Sequence, residues 1–499
     1  MNSRLAKPKQ FFNYLSAFDR VSLSAIALLT LLLGVILWRG EQTPLRVTRF
    51  SWQGEKIGVQ DQAFTLSFNQ PVDQKSVENH LIIEPPLLGK MSWQGNRLVY
   101  SLADTPLYGT NYQIKLEQAT GPDPQRKMEP FVSLFSTHDR ALVYVGVSGE
   151  ERGRLILYDI TDPKQPKKTI LTAKDLLVRQ FQIYPGGDKI LFSAQDPSQP
   201  DGTLQLFTVT TGIRLSLASP EVRPGKLERI LDNQDYANLA FKLSANGQTL
   251  IVLRSNRQNP ADSGLWMVPI TASTASTSPP STARPLGVQG DNFVVSPNGK
   301  YVAVAQQRGV SLVPLTADAG PSQFLEGFDK AIAFSKNSQQ LLLTQNNADY
   351  TRSLILREAD GTVEEISRGI YPILDCKFEP KQEKILYCLR TDLVKREDGN
   401  LHEEPFLSAI NLETWQDRPL LALPNYRDVQ MTVSPDGVAL SFDQVATTVA
   451  MSSRDLLTPS RQAITDGRIW LLMLTDNRSV PTAIMPKEIT AGFSPQWMP

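Results

Sequence analysis

Histidine and cysteine are scarce: the 499 residues contain three of the first and two of the second. So few leave no material for a zinc cluster or a disulfide-built scaffold, which need several such side chains at short spacings. Neither sign of charge is in excess, with 51 basic residues against 51 acidic ones. A neutral chain has no global pull toward nucleic acid, and no nucleic-acid partner is expected. Phosphate-binding glycine loops, the G-x-S-x-G elbow, H-E-x-x-H and C-x-x-C are all missing. No catalytic residue, metal ligand or cofactor is therefore assigned. His402-Glu403-Glu404 reads as a solvated charged loop, and His80 and His138 are too far apart in sequence to mark a site.

Long apolar runs are absent with one exception, Val21 to Trp38. As a helix it rises about 27 Å, close to a ~30 Å hydrocarbon core. Arg4, Lys7, Lys9 and Arg20 precede it, opposed only by Asp19, while Arg39, Arg46 and Arg49 follow. The positive-inside rule places residues 1–20 in the cytoplasm and everything after the 21–38 anchor outside. This predicts a single-pass protein of a bacterial inner membrane, its bulk periplasmic or otherwise extracytoplasmic. A cleaved signal peptide and a buried core helix are the alternatives. Against cleavage, Val35-Ile36-Leu37-Trp38-Arg39 offers no small-x-small site and no early cysteine offers lipid attachment.

Residues 43–137 show short alternating strands between turns, such as Phe64–Phe68, Leu81–Ile83, Arg97–Tyr100 and Tyr112–Leu116. That spacing predicts a β-sandwich. Phe64 to Asp73 (FTLSFNQPVD), Leu107-Tyr108-Gly109-Thr110-Asn111-Tyr112 and Ser133-Leu134-Phe135-Ser136-Thr137 resemble the SbsA-type bacterial Ig-like domain. The resemblance implies a spacer or adhesion module.

Over 141–499 one phrase recurs: an apolar-x-apolar strand, a Ser/Pro/Asn/Gly turn, then a second apolar run. Copies align on Tyr184, Ser244, Ser296, Ser335, Glu379, Ser434 and Ser494. Three before the turn residue stand Phe181, Phe241, Phe293, Ile332, Cys376, Met431 and Ala491, and one before it Ile183, Leu243, Val295, Phe334, Phe378, Val433 and Phe493. Period two marks one strand face. Each unit offers a third and a weaker fourth strand, the composition of a propeller blade. The seventh copy supplies only its first strand before Pro499, whereas Ala141–Val147, Arg154–Ile160 and about Lys168–Leu171 are three strands without a first. Joining them predicts seven blades, the last closed by strands from both ends of the repeat region. The SP-(N/D)-G words resemble TolB-like propeller repeats, a fold found in many functional classes.

On the face shared by blade-to-blade connections and strand-two-to-three loops lie three long excursions, Ala218–Asn238, Asp392–Pro405 and Gln444–Gly467. They form either a binding surface or tolerated insertions. The low-complexity tract Thr271–Pro285 falls on the other face. Asp291, Asp329, Asp375 and Asp428 open four inner strands and are candidate ligand-binding residues at the channel mouth, with Arg179, Lys330 and Arg427 beside them. Cys376 and Cys388 share one hairpin. The alignment puts Cys376 on the face of Ile385 and Tyr387, one residue out of phase with Cys388, so two free thiols are expected. The whole reads as a mainly β, non-enzymatic, membrane-anchored binding or scaffold protein for a protein or envelope polymer. A propeller enzyme, lyase or glycan-acting hydrolase, with its site in the channel is the alternative.

Overall fold

The computed structural model describes residues 17–41, 44–58, 61–103, 106–195, 204–213, 221–270, 283–381, 383–395, 399–424, 426, 428–452, 454–474 and 485–499, with the side chains of 17–20 and 37–41 outside that description. The basic residues Arg4, Lys7 and Lys9, most of the Thr271–Pro285 tract, and Arg427 fall outside it. A helix runs from Ala17 to Glu41. Its side chains Val21, Ile26, Leu28, Leu29, Leu31 and Ile36 are 60–69% exposed, and none joins a core cluster. Among the described residues no helix is long and apolar enough to cross a membrane. The transmembrane anchor expected over 21–38 is therefore not shown among the described residues.

Two four-stranded sheets come next along the chain, built from strands between Val47 and Thr137. Alternation sets their inner faces: Ala63–Phe68 buries Phe64, Leu66 and Phe68, and Asn111–Leu116 buries Tyr112, Ile114 and Leu116. These side chains interdigitate as one sandwich core. Phe64 stacks on Tyr100 and Tyr112 on Phe135, at 5.0 and 5.1 Å between ring centroids. At its C-terminal exit the sandwich is tied to the connecting segment by Lys56–Asp139 at 2.6 Å and by Tyr108 against His138.

From Ala141 onward the strands form seven four-stranded sheets in simple up-and-down order. Six are continuous in sequence, with inner strands beginning at Leu177, Tyr236, Phe293, Lys330, Ile373 and Met431; we number these blades one to six. The seventh takes its inner strand, Phe493–Trp497, from the far end of the chain and its other three from Ala141–Val145, Leu155–Asp159 and Lys167–Ile170. Apolar clusters fill every interface around the ring. Blade one meets blade two through Leu191, Phe241 and Val252; blade six meets the closing blade through Ile469, Tyr144 and Trp497; the closing blade meets blade one through Val143, Phe181 and Phe192. The chain is a closed seven-bladed propeller, as the repeat count predicts.

The recurring turn has a hydrogen-bond logic. In blades two, three, four and six the turn serine donates to the Asn or Asp two residues on, at 2.7 Å each time. Its Oγ accepts the N–H five residues on, at 2.9–3.0 Å. The following glycine holds φ near +70° in blades one, two, three and six, where a side chain would be strained. At Gly247 a second reason applies, since a Cβ would sit 3.1 Å from Tyr184 and 3.2 Å from Pro185 of the preceding turn. Two copies depart from the pattern. Ser338 and Glu383 take positive φ without being glycine, and each accepts a backbone N–H from the preceding blade's turn, of Asn298 and Lys336.

The cysteine expectation is wrong, and the turn explains why. In five blades the residue before the turn serine, or its equivalent, pairs with the residue six after it, as Val433 does with Leu440. In blade five Phe378 pairs with Leu386, seven after Glu379. The turn is one residue longer, which flips every following side chain to the other face. Cys376 therefore stands directly opposite Cys388, their Cα atoms 4.1 Å apart, and the two form a disulfide. Both sulfurs face blade four, while Tyr387 faces blade six. Replacing both cysteines with alanine is expected to lower stability by about 3 kcal/mol in the chain-entropy model. Chemical denaturation of both forms checks this, and thiol titration of the unreduced chain should find no free thiol.

Candidate functional site

In this strand order the inner-to-second turns lie on one face of the ring. The second-to-third connections and the blade-to-blade connections lie on the other, here called the upper face. The excursions differ in kind. From residue 221 onward, the excursion read as Ala218–Asn238 is largely the outer strand Leu227–Leu231 and the start of the next inner strand; its first three residues lie outside the described residues. Asp392–Pro405 is the end of a long hairpin, Ile385–Lys395 paired with Leu401–Asn411, so His402 opposes Val394 on a strand instead of lying in a loop.

The hairpin Ala439–Thr448 with Ala463–Met473 instead carries a segment that folds back over the ring. Its Leu456 is fully buried with Leu155, Leu177 and Val178 of the closing blade and blade one. Arg152 donates to the Arg454 carbonyl at 3.3 Å, and Arg179 to that of Asp455. The segment is a strap across the seam where the two ends of the ring meet. Beneath it, buried Asp443 accepts the backbone N–H groups of Gln430 and Ser494, both at 2.7 Å. Arg140 reaches buried Asp436 of the blade-six turn at 2.7 Å.

Apolar side chains stand exposed on the upper face of blades four to six. Tyr350 lies in the second-to-third connection of blade four, Ile370 in the connection to blade five, Leu374 at the start of the blade-five inner strand, Leu401 on the long hairpin, and Val449 and Met451 on the strap. Tyr350 and Met451 are 91% and 93% exposed. Between blades two and three the same face carries a polar groove of about 480 Å³ lined by Asp262, Ser263, Trp266, Gln289 and Gln306.

The four candidate carboxylates stand at or near the starts of inner strands in four different blades. Asp291 is exposed in the connection before Phe293. Asp329 accepts the Asn346 N–H, and Asp428 accepts the Ser460 hydroxyl of the strap. Asp375 pairs with Lys377 at 3.0 Å. Among the described residues no three His, Cys, Asp or Glu side chains are placed to hold a metal ion.

Inner strands border the channel, and their free edge needs partners. Amide side chains supply them. Gln182 Oε1 accepts the Leu243 N–H at 2.8 Å, Gln180 donates to the Phe241 carbonyl at 3.1 Å, and Gln496 donates to that of Phe181 at 2.9 Å. Two residues before the turn residue, blades one to six carry Gln182, Lys242, Val294, Ala333, Lys377 and Thr432. Lys242 and Lys377 belong to blades two and five, across the ring from each other. Burial pulls the Lys242 ammonium down in pKa, and Lys377 adds to this while Asp375 partly offsets it. Sequence reasoning passed over both lysines, although reading that column down the repeat alignment would have singled them out.

No family model matches the chain, and no curated protein matches it. Solved structures do. A periplasmic gluconolactonase of Pseudomonas aeruginosa is 13% identical, with 72% of this chain and 99% of that chain covered and a TM-score of 0.42. TolB of Acinetobacter baumannii is 12% identical over 68% of this chain and 80% of its own, TM-score 0.36. An oligogalacturonate lyase in complex with manganese is 12% identical over 71% and 97%, TM-score 0.41. The propeller assignment rests on the strand order and ring closure of the chain itself.

Proposed function

We propose that the chain is a membrane-anchored extracytoplasmic binding or scaffold protein whose propeller presents its upper face to another protein or an envelope polymer. The observation that carries this reading is the set of exposed apolar side chains on that face, Tyr350, Ile370, Leu374, Leu401, Val449 and Met451. Large apolar side chains left exposed mark interaction sites where they form a patch; Phe324, Val363 and Met485 stand exposed elsewhere on the propeller. Three further features support it. The exposed apolar side chains between Val21 and Ile36 on the helix Ala17–Glu41 join no core cluster, which suits burial in lipid. The sandwich, an Ig-like module on this reading, spaces the ring from the bilayer. The buried disulfide suits an oxidising compartment.

The test has two arms. Alkaline carbonate should leave the full chain in the membrane pellet and release a version beginning at residue 44. Affinity capture of the full chain from detergent-solubilised membranes should retain a stoichiometric partner. The triple substitution Tyr350→Lys, Leu401→Lys, Met451→Lys should reduce that partner at least tenfold without moving the unfolding midpoint. A monodisperse, partner-free wild type at low and high salt overturns the reading, as does a variant that captures equally well.

A further inference from the structure

Counted strictly within their strand limits, the inner strands are cationic, while Asp291, Asp329 and Asp428 stand just before three of them. Arg179, Lys242, Lys330 and Lys377 stand on them against one carboxylate, Asp375, in a protein whose formal charge is zero. These groups lie at two depths. Counted back from each turn residue, Asp291, Asp329 and Asp428 lie five or six positions up the strand, level with Arg179 and Lys330. Lys242 and Lys377 lie only two positions up. At ~3.3 Å per residue, that places them about 10 Å deeper than the rim. The rim thus mixes both signs, and the deeper level is cationic.

At that level the charges do not cancel. Lys377 Nζ contacts both Asp375 oxygens, at 3.0 and 3.1 Å, and that pair is neutral. Lys242 lies within electrostatic reach of both groups across the channel. It makes no hydrogen bond or ion pair with any described residue. The neighbouring wall offers the neutral amides Gln180 and Gln182, both already bonded to blade two. A half-buried ammonium without a counter-charge is unfavourable, because its lost hydration is not replaced. We propose that the lower half of the central channel binds a small anion carrying a carboxylate or phosphate group, held between Lys242 and Lys377. Asp375 orients Lys377 and limits the site to an anion of low charge.

The inference is independent of the apolar docking face, since the upper-face triple variant should leave the anion response intact. Sodium phosphate and, separately, sodium acetate are titrated into the full chain in detergent, with ionic strength held constant by sodium chloride. The unfolding midpoint and the heat of binding are followed. A saturable rise in midpoint with phosphate assigns a phosphate ligand, and one with acetate a carboxylate ligand. Lys242→Met should abolish the response without lowering the midpoint of the anion-free protein, because it removes an uncompensated charge. Asp375→Asn should tighten binding about tenfold by removing the competing carboxylate. Lys377→Met serves as a second loss variant, since Asp375 is then free to neutralise Lys242. A wild type that responds to neither anion overturns the proposal, and so does a Lys242→Met protein that responds as the wild type does.

Discussion

Deleting Phe493 to Pro499 is expected to remove the propeller's cooperative unfolding transition, or to lower its midpoint by more than about 10 °C. These residues form the inner strand of the closing blade, pairing Phe493, Gln496 and Trp497 with Val145, Val143 and Leu142. Phe493, Trp497 and Met498 are 4%, 7% and 3% exposed. At about 2–3 kcal/mol for each large buried side chain, their loss removes some 6–9 kcal/mol. That is comparable to the whole net stability of a typical domain. The deletion also strips Asp443 of the Ser494 N–H and the Phe181 carbonyl of Gln496. Ala141–Val145, buried at every position, would become an open apolar edge, prone to pair with another chain. Calorimetry together with size-exclusion chromatography reads both consequences. A truncated chain that melts at the wild-type temperature as a monomer would show that the seam does not hold the ring.

Raising the pH from 5 to 8 should weaken the wild type by about 2–3 kcal/mol relative to Asp443→Asn. Burial pushes the Asp443 carboxyl up to about 7, against the N–H groups of Gln430 and Ser494, which hold it down. A carboxyl whose folded pKa lies above its unfolded value binds its proton more tightly when folded. The stability this contributes is complete below about pH 4 and is lost as the pH rises through 7. Asparagine keeps the shape but cannot titrate, and it opposes its NH2 to one of the two N–H groups. That mismatch is a constant penalty, so the two stability profiles should differ in slope as well as height. Denaturant midpoints for both proteins at the two pH values decide the matter; parallel profiles would reject the assignment.

The ring was legible because turn chemistry is local. Ser, Asn and Gly at fixed offsets bond within a few residues, so the words repeat wherever the turn does. Phase was less legible, because it is decided by counting. One additional residue in the blade-five turn leaves its composition unremarkable, yet it inverts the faces of everything after it and brings the cysteines together. The strap is legible only as a long excursion, because the pair Leu456-Leu457 is too short a run to show which surface it packs against. The acidic rim was visible as a pattern. Its partners, the Asn346 amide and the Ser460 hydroxyl, belong to segments whose proximity only the fold creates.

The interlocking turns on the lower face have a consequence for how the copies relate to one another. Gly247 fits against Tyr184 and Pro185, Ser338 holds Asn298, and Glu383 holds Lys336. Each of these contacts joins a turn to the one before it, and each uses different atoms. At these three junctions the blades are therefore keyed in sequence, each by a contact of its own kind. Rewriting all of them as one ideal repeat would relieve the backbone at Ser338 and Glu383 while erasing the information that says which blade stands beside which.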